Sequence, residues 1–226
     1  MRELVDGLAG RLIVSCQAYP GEPMRDPHTI AAVAQACVIG GAAAIRVQGL
    51  QDIRATAAVV DVPVIGLVKE GDEGVYITPT LELALACAEA GAHIVAIDAT
   101  SRPRPDGLTF AEVVSGLKEK HPDVLVMADC GSVDDCIRAE AAGADIIGTT
   151  LGGYTRDRAK TVGPDFEFAE EAIAACGKPV VVEGRIHTLE HAAAVMRLGA
   201  HAVCVGTAIT HPSTITGWFA AAVKGA

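Results

Sequence analysis

Two titratable side chains follow directly after apolar runs in this sequence. Lys69 ends the run Val64-Ile65-Gly66-Leu67-Val68, and Glu183 ends an equally apolar run over residues 179–182. Partial burial at such positions shifts the pKa of a lysine or a glutamate toward the range that acid and base catalysis uses. The two residues therefore predict proton-transfer chemistry, with a structural ion pair as the alternative.

Polar residues occupy the corresponding place after several other apolar runs. Together with Lys69 and Glu183, the strand-end residues are then Gln17, Arg46, Gln48, Asp98, Asp129, Thr149 and Gly206-Thr207. The carboxyl ends of parallel strands converge on one face of the sheet, and α/β proteins place their chemistry there. We therefore expect these side chains to meet in one active site.

A metal centre is not predicted, although Asp98 and Asp129 carry suitable carboxylates. No histidine ends an apolar run to complete a set of ligands, and only His187 and His211 come shortly after one. The dinucleotide pattern G-x-G-x-x-G and the phosphate loop G-x-x-x-x-G-K-[ST] do not follow any run. We therefore do not expect a metal enzyme, and the missing patterns argue against an open doubly wound nucleotide-binding sheet.

Two glycines after the last two runs indicate an anion site. They lie in Glu183-Gly184-Arg185 and in Gly206-Thr207, the two loops in which parallel barrels often bind phosphate. Glycine lets backbone N–H groups come close to phosphate oxygens, although it can also serve only the turn. Two such glycines in these two loops favour phosphate.

The apolar runs have the length and composition of buried strands. They cover residues 11–17, 43–48, 63–70, 93–98, 124–129, 145–149, 179–183 and 202–206. Segments with helical apolar spacing separate them, so strands and helices alternate. This pattern predicts an α/β fold, a closed parallel (β/α)8 TIM barrel of the phosphate-binding type, as one domain over residues 1–226. An open doubly wound sheet is the alternative.

Several helix boundaries can be read from the sequence. Asp26-Pro27 and Thr78-Pro79 each predict an N-cap followed by a first-turn proline. Ser132 and Asp135 predict a variant of the capping box. Glycines that would end helices in a left-handed conformation stand just before three of the strands, at Gly91, Gly143 and Gly199.

Two polar loops follow strands on the face that carries the polar strand ends. Residues 102–107 contain two prolines and predict a rigid surface turn. Residues 152–164 include Gly153 and Tyr154, which combine close backbone approach with a polar aromatic ring. Since loops on this face often carry function, Gly153 and Tyr154 are candidates for substrate binding, with a structural role equally open.

Composition and charge exclude several functional classes. Of 226 residues, 50% are hydrophobic and 20% charged, so a disordered chain is not expected. A formal net charge of −10 argues against a nucleic-acid partner. Neither a signal sequence nor a membrane-spanning run is evident, and seven scattered cysteines without a C-x-x-C pair are typical of a reducing compartment. We therefore expect a cytoplasmic protein without a membrane partner.

Several phrases resemble the bacterial N-acetylmannosamine-6-phosphate 2-epimerases, and the resemblance covers nearly the whole chain. The matching phrases are Ser15-Cys16-Gln17, Arg46, Gly66-Leu67-Val68-Lys69, Ala128-Asp129-Cys130, residues 148–155, Glu183-Gly184-Arg185 and residues 205–210. The resemblance implies a homodimeric barrel that interconverts the 6-phosphates of N-acetylmannosamine and N-acetylglucosamine during sialic-acid breakdown, without redox cofactor or metal.

The same resemblance implies roles for individual residues. Lys69 and Glu183 are similar to the acid/base pair of the family, and Gln17, Arg46 and Asp129 to its substrate contacts. Where the family typically has an arginine, this chain has His211. We expect His211 either to bind phosphate or to cap the following helix.

These residues carry the functional groups that epimerisation requires. Inversion at C2 needs a proton that only an adjacent aldehyde makes acidic, so the sugar ring must open and the enolate must be stabilised. A lysine and a glutamate suffice for these proton transfers. Two other functions fit the same residues: a Schiff-base lyase or aldolase that uses Lys69, and a sugar-phosphate-binding barrel without turnover.

Overall fold

The computed structural model describes residues 2–71 and 74–225. The positions outside this description include residues 1 and 226, the two ends of the predicted domain. In the described part of the chain, eight parallel strands follow one another in sequence order, and the last pairs with the first to close a barrel. The predicted closed barrel is confirmed, and the open sheet is excluded.

Each predicted strand is present, and all eight are shorter than predicted. The strands are β1 (Arg11–Cys16), β2 (Ala44–Gln48), β3 (Val64–Leu67), β4 (Ile94–Asp98), β5 (Leu125–Asp129), β6 (Ile146–Gly148), β7 (Val180–Glu183) and β8 (Ala202–Val205). Their valine, isoleucine and alanine side chains are buried on both faces, which is the usual environment of parallel strands covered by helices.

Helices surround the barrel. They are α1 (Arg2–Asp6), α2 (Pro27–Ile39), α3 (Leu50–Ala57), α4 (Leu81–Glu89), α5 (Phe110–Lys120), α6 (Val133–Ala141), α7 (Phe166–Ala175), α8 (Leu189–Arg197), α9 (Thr207–Thr210) and α10 (Pro212–Lys224). Among the described residues, none of these helices has the length and apolar character that crossing a membrane requires.

The alternation of side chains along β3 shows which residues face the barrel interior. A Cβ added at Gly66 would lie 2.8 Å from Cδ1 of Ile53 in α3, so Gly66 faces the helices. Ile65 and Leu67 therefore point inward, and both belong to the core inside the barrel. Lys69 continues the inward series two residues beyond the end of the strand. The larger core lies between the sheet and the helices.

Two of the predicted N-caps are present. The side chain of Asp26 accepts a hydrogen bond from the Thr29 N–H at the start of α2. Ser132 likewise accepts from the Asp135 N–H at the start of α6, although the Asp135 carboxylate turns to the N–H of Gly131 and does not complete the box. The predicted left-handed glycines have φ values of 104°, 94° and 93° at Gly91, Gly143 and Gly199.

The predicted helix start at Thr78-Pro79 was wrong. The N-cap of α4 is Thr80, whose side chain accepts from the Leu83 N–H. Thr78 is fully buried with a φ of 45°, and its hydroxyl donates to the carbonyl oxygen of Ala96 in β4. Thr78 therefore belongs to the barrel wall, and the chain enters α4 only after it.

Candidate active site

A cavity of about 450 Å³ opens at the carboxyl ends of the strands. Most of the predicted site residues line it, namely Gln17, Arg46, Lys69, Tyr154, Glu183, Gly184, Arg185, Gly206, Thr207 and His211. Asp129 and Gly153 are not among the lining residues. The barrel thus brings together residues from both ends of the chain in one site, because inward-facing positions of neighbouring strands converge there.

Lys69 enters the cavity from the segment that follows β3. Its Nζ donates to Oε1 of Gln17 at 2.8 Å, and Nε2 of Gln17 donates to Oγ of Ser15 at 2.9 Å. Burial lowers the pKa of Lys69, the Arg46 guanidinium lowers it further, and Glu183 opposes this. A lysine is suited to exchanging protons with a ligand when its pKa is lowered and its amine donates only to a neutral amide.

Glu183 ends β7, which is four strands away from β3 around the barrel. Its Oε2 lies 3.4 Å from Nη1 of Arg46 and 3.3 Å from the Thr150 hydroxyl. Burial raises the pKa of Glu183, Arg46 opposes the rise, and Asp129 adds to it. Lys69 and Glu183 form no direct ion pair: the Lys69 amine donates to Gln17, and the Glu183 carboxylate lies beside Thr150 and Arg46.

Arg46, which lines the cavity, forms a buried ion pair with Asp129, which does not. Nη1 and Nη2 of Arg46 lie 3.1 and 2.6 Å from the two carboxylate oxygens of Asp129. The two side chains are 1% and 0% exposed. The Thr150 hydroxyl donates to Asp129 at 2.7 Å, so the carboxylate is engaged on both sides. In this structure Asp129 holds Arg46 in place, and its predicted contact with a substrate stays a prediction.

Two glycines leave room for an anion at the ends of β7 and β8. Gly184 has a φ of 117°, which favours glycine, and an added Cβ would have no neighbour within 4 Å. A Cβ on Gly206 would lie 3.2 Å from the Cβ of Ser15, so the two backbones approach closely here. Thr207 is the first residue of α9, and its N–H therefore has no partner within the helix. These loops can offer backbone N–H groups to a phosphate.

Arg185 connects the β7 loop with the loop over residues 152–163. Its guanidinium donates to the hydroxyl of Thr161 and to the carbonyl oxygens of Gly152 and Gly163, at 2.9 to 3.2 Å. The guanidinium carbon also lies 5.4 Å from the ring centre of Tyr154. Arg185 thus anchors the loop that carries Tyr154, in addition to lining the cavity.

The loop over residues 152–163 packs tightly at Gly153. A Cβ there would lie 2.7 Å from Cα of Lys160, so only glycine fits. The ammonium of Lys160 in turn lies 4.8 Å from the ring centre of Tyr154. Gly153 therefore shapes the loop, while Tyr154 reaches the cavity.

His211 lies between α9 and α10 and lines the cavity. It occupies the N-cap position of α10, but its side chain makes no capping hydrogen bond, so the predicted helix cap was wrong. Nδ1 lies 3.9 Å from a carboxylate oxygen of Glu22, and the ring centre lies 5.0 Å from that of Tyr19. Burial lowers the pKa of His211, while Glu22 raises it. The imidazole is therefore mainly neutral at neutral pH in this structure.

The loop over residues 102–107 is more than a surface turn. Arg104 is buried and donates to the carbonyl oxygens of Thr78, Pro79 and Asp98. Arg102 pairs with the buried carboxylate of Asp98 at 2.7 Å. The prediction missed these contacts because arginine and proline in a loop resemble a solvated turn. Across the described residues, no group of His, Cys, Asp and Glu side chains is placed to hold a metal ion.

Comparison with known proteins identifies the family. Residues 30–225 match the family model described as "Putative N-acetylmannosamine-6-phosphate epimerase". The chain belongs to the N-acetylmannosamine-6-phosphate epimerase family. Relatives described as "Putative N-acetylmannosamine-6-phosphate 2-epimerase" include one from Cutibacterium acnes, 56% identical over 98% of this chain and 97% of its own length. Another, from Corynebacterium glutamicum, is 52% identical over 94% of this chain and 93% of its own.

A solved structure of the epimerase family also matches. The N-acetylmannosamine-6-phosphate 2-epimerase from Clostridium perfringens superposes with a TM-score of 0.92 at 38% identity. The match covers 96% of this chain and 95% of that chain. The barrel described above is thus the fold of this epimerase family.

Several lining residues of this epimerase-family chain were not predicted as site residues. They are Ser15, Tyr19, Tyr76, Thr150, His187 and Cys204. Ser15 and Cys204 lie two residues before Gln17 and Gly206, on the same inward series, so the strand periodicity could have identified them. Tyr76 and Thr150 lie in loops, where no periodicity indicates the direction of a side chain.

Proposed function

We propose that this protein interconverts N-acetylmannosamine-6-phosphate and N-acetylglucosamine-6-phosphate, as a step in sialic-acid breakdown. The observation that carries the proposal is the placement of Lys69 and Glu183. They line one cavity from different sides of the barrel, and burial shifts their pKa values toward each other. Membership of the epimerase family supplies the substrate class. Groups tuned in this way suit proton removal and return at a weakly acidic carbon.

The reaction proceeds through the open sugar. Ring opening places an aldehyde at C1, which makes the C2 proton acidic enough to be removed. One of the two residues moves the C2 proton, and the other exchanges protons with the ring and aldehyde oxygens. Arg46 lines the cavity beside Glu183 and is suited to stabilising the enolate oxygen. Return of a proton to the opposite face of C2 gives the epimer.

The remaining lining residues suit the ends of the substrate. An anionic sugar phosphate needs a locally positive site in a chain with a net charge of −10. Gly184, Gly206 and Thr207 are proposed to hold the 6-phosphate through backbone N–H groups, with Arg185 beside them. Gln17 and Arg46 are proposed to orient the hydroxyl groups and the N-acetyl arm.

The proposed activity can be tested from both directions of the reaction. Purified protein is incubated with either sugar phosphate, and the anomeric proton signals of both epimers are followed by NMR. We expect the same equilibrium mixture from both starting compounds, and no conversion of the sugars that lack phosphate. Absence of conversion from either phosphate would contradict the proposal.

The lowered pKa of Lys69 also favours a second candidate, a Schiff-base lyase or aldolase. A free amine attacks a carbonyl group and forms an imine, which borohydride reduces to a stable adduct. Mass spectrometry after borohydride treatment with substrate distinguishes the two. An adduct on Lys69 supports the lyase, whereas epimer formation without an adduct supports proton transfer. Binding without conversion would leave a sugar-phosphate-binding barrel.

We further propose that the protein is a homodimer that uses α10. This helix contains no buried residue, and its side chains Trp218, Phe219 and Val223 are 39%, 70% and 76% exposed. An apolar helix surface of this extent is unfavourable in water unless another surface covers it. A second copy of the chain is the proposed partner.

Sedimentation velocity tests the proposed dimer. Phe219→Glu places a charge on α10 and is expected to convert a dimer into a monomer. Ile137→Glu is the matched control, because Ile137 is 49% exposed on α6, at a different side of the barrel. A monomeric wild-type protein, or a dimer that survives Phe219→Glu, would contradict the use of α10.

We propose that the enzyme works in the cytoplasm. All seven cysteines are free in the structure, and five of them are buried. Free thiols in the core are typical of proteins in reducing compartments. Fractionation of cells that express the protein, followed by immunoblotting, tests this assignment. Recovery outside the cytoplasmic fraction would contradict it.

A further inference from the structure

The hydrogen-bond ladder between β3 and β4 stops below the cavity. Among the described residues it contains two pairs, Ile65 with Ile94 and Gly66 with Val95. The ladder between β4 and β5 continues for three more pairs, up to Asp98. The upper parts of β3 and β4 are therefore separated, in the region where Lys69 lies two residues beyond the end of β3.

Residues 76–78, here called the wedge, fill this gap. The Thr78 N–H donates to the carbonyl oxygen of Val68 at 2.6 Å on the β3 side. On the β4 side, the Asp98 N–H donates to the carbonyl oxygen of Ile77 at 3.0 Å. Ile77 also forms an antiparallel bridge with Lys69. The wedge thus replaces β4 as the hydrogen-bonding neighbour of the segment that carries Lys69.

Thr78 holds the wedge through its side chain. Its hydroxyl donates to the carbonyl oxygen of Ala96 in β4 at 2.7 Å and accepts from the Val68 N–H at 3.2 Å. One hydroxyl group therefore links the two separated strands. The carbonyl oxygen of Thr78 accepts from Nη1 of the buried Arg104 at 3.3 Å.

The backbone of Thr78 adopts a conformation that its side chain disfavours. Its φ of 45° lies in the left-handed region, where a β-branched residue is rarely found. Such a conformation persists only where the surroundings enforce it, and strained residues of this kind occur often at functional sites. A glycine would relieve the strain but would lose the hydroxyl group. The threonine therefore indicates that the hydroxyl contacts matter at this position.

We propose that Thr78 is a positioning residue for Lys69. Its hydroxyl group fixes the wedge between β3 and β4, and the wedge fixes where the Lys69 amine stands in the cavity. The proposal rests on the proposed function, because Lys69 is taken as an acid/base group. A displacement of an acid or base by about 1 Å lowers the rate by about a hundredfold. Loss of the Thr78 hydroxyl contacts should therefore slow the chemical step.

Thr78→Val tests the proposal by removing the hydroxyl group at nearly constant volume. We expect kcat to fall at least about tenfold with KM changed less than about threefold, since Lys69 is displaced while the phosphate loops are untouched. The limb of the kcat pH profile that reports Lys69 should move to higher pH. A loosened wedge admits water and so relieves the burial that lowers the pKa of Lys69. The charged groups that face Lys69 are unchanged in this variant, namely Arg25, Arg46, Asp129, Glu183 and His211.

Two further variants control for simple loss of packing. Thr78→Ser keeps the hydroxyl group and is expected to retain kcat within about threefold. Thr56→Val is the matched control, because Thr56 is fully buried and its hydroxyl has no hydrogen-bond partner among the described residues, so kcat and its pH profile should stay at wild-type values. If Thr78→Val does not fold, Thr78→Gly tolerates the backbone conformation and removes the same hydroxyl.

The outcomes separate this proposal from the proposed reaction. Wild-type kcat and pH profile in folded Thr78→Val or Thr78→Gly would overturn it, as would a Thr78→Ser variant impaired as much as Thr78→Val. If wild-type protein does not turn over, the reaction itself fails. The pKa of Lys69, measured by NMR titration of ¹³C-labelled lysine, then tests the positioning role of Thr78. An upward shift in Thr78→Val supports that role, and an unchanged pKa overturns it.

Discussion

Nη1 of Arg46 lies 3.4 Å from Oε2 of Glu183, but the shorter contacts of the same guanidinium go to Asp129, at 3.1 and 2.6 Å. The Asp129 carboxylate thereby neutralises most of the positive charge of Arg46, so Arg46 lowers the pKa of Glu183 only in part. The buried glutamate retains its raised pKa even though an arginine stands beside it. Asp129 thus tunes the site without lining the cavity.

The first prediction follows from this arrangement. Asp129→Asn removes a negative charge that raises the pKa values of Glu183 and Lys69, and it frees Arg46 to pair with Glu183. Both limbs of the kcat/KM pH profile should therefore move to lower pH. The measurement is the pH dependence of kcat/KM. Limbs that stay in place, or move to higher pH, would show that Asp129 does not tune these groups.

The second prediction concerns the two groups themselves. Lys69→Ala and Glu183→Gln should each lower kcat at least about a hundredfold, the usual contribution of a positioned acid or base, while the melting temperature changes little. Lys118→Ala is a suitable control, because Lys118 pairs with Asp145 away from the cavity and should not affect turnover. Near-normal kcat in either variant would refute the role of that residue.

The third prediction separates two roles of Arg185. If its main role is to anchor residues 152–163, Arg185→Lys should raise KM nearly as much as Arg185→Ala, because lysine cannot reproduce the forked hydrogen bonds. Both variants should also make this loop more sensitive to limited proteolysis. Restoration of KM by lysine would instead point to a direct charge contact with phosphate.

The fourth prediction concerns His211. Burial lowers its pKa in the free protein, and a bound phosphate would favour the imidazolium and raise it. Substrate affinity should therefore weaken as pH rises through the His211 pKa of the complex, beyond the effect of the ionisation of phosphate itself. His211→Arg should remove this extra dependence of KM on pH, because arginine stays charged. An unchanged KM profile in the variant would assign phosphate binding to the glycine loops alone.

The barrel and most of its site could be predicted because they depend on local patterns. Apolar runs with polar ends define parallel strands, and the convergence of strand ends places Lys69, Glu183 and Arg46 in one cavity. The twofold periodicity of a strand also predicts that Arg46 and Asp129 point inward. It cannot predict that they pair with each other, since that depends on distances across the barrel.

The contacts made by loops could not be predicted in the same way. Thr78-Pro79 has the local signature of a helix start, yet hydrogen bonds to Val68 and Ala96 place Thr78 in the barrel wall. Arg104 lies in a stretch that resembles a solvated turn, but the carbonyl oxygens around it are available only in the folded barrel. In both cases tertiary hydrogen bonds override the local preference of the sequence.

The fate of the C2 hydrogen in heavy water tests the proposed proton transfer by Lys69 and Glu183 most directly. The protein is incubated in D₂O with N-acetylglucosamine-6-phosphate that carries ordinary hydrogen at C2, and proton NMR follows that signal and the appearance of the epimer. We expect formation of N-acetylmannosamine-6-phosphate with deuterium entering at C2, and neither change in Lys69→Ala or Glu183→Gln. Partial retention of hydrogen in single turnovers would identify one residue that both removes and returns the proton. A C2 signal that stays intact while no epimer forms would contradict proton transfer at C2 by this protein.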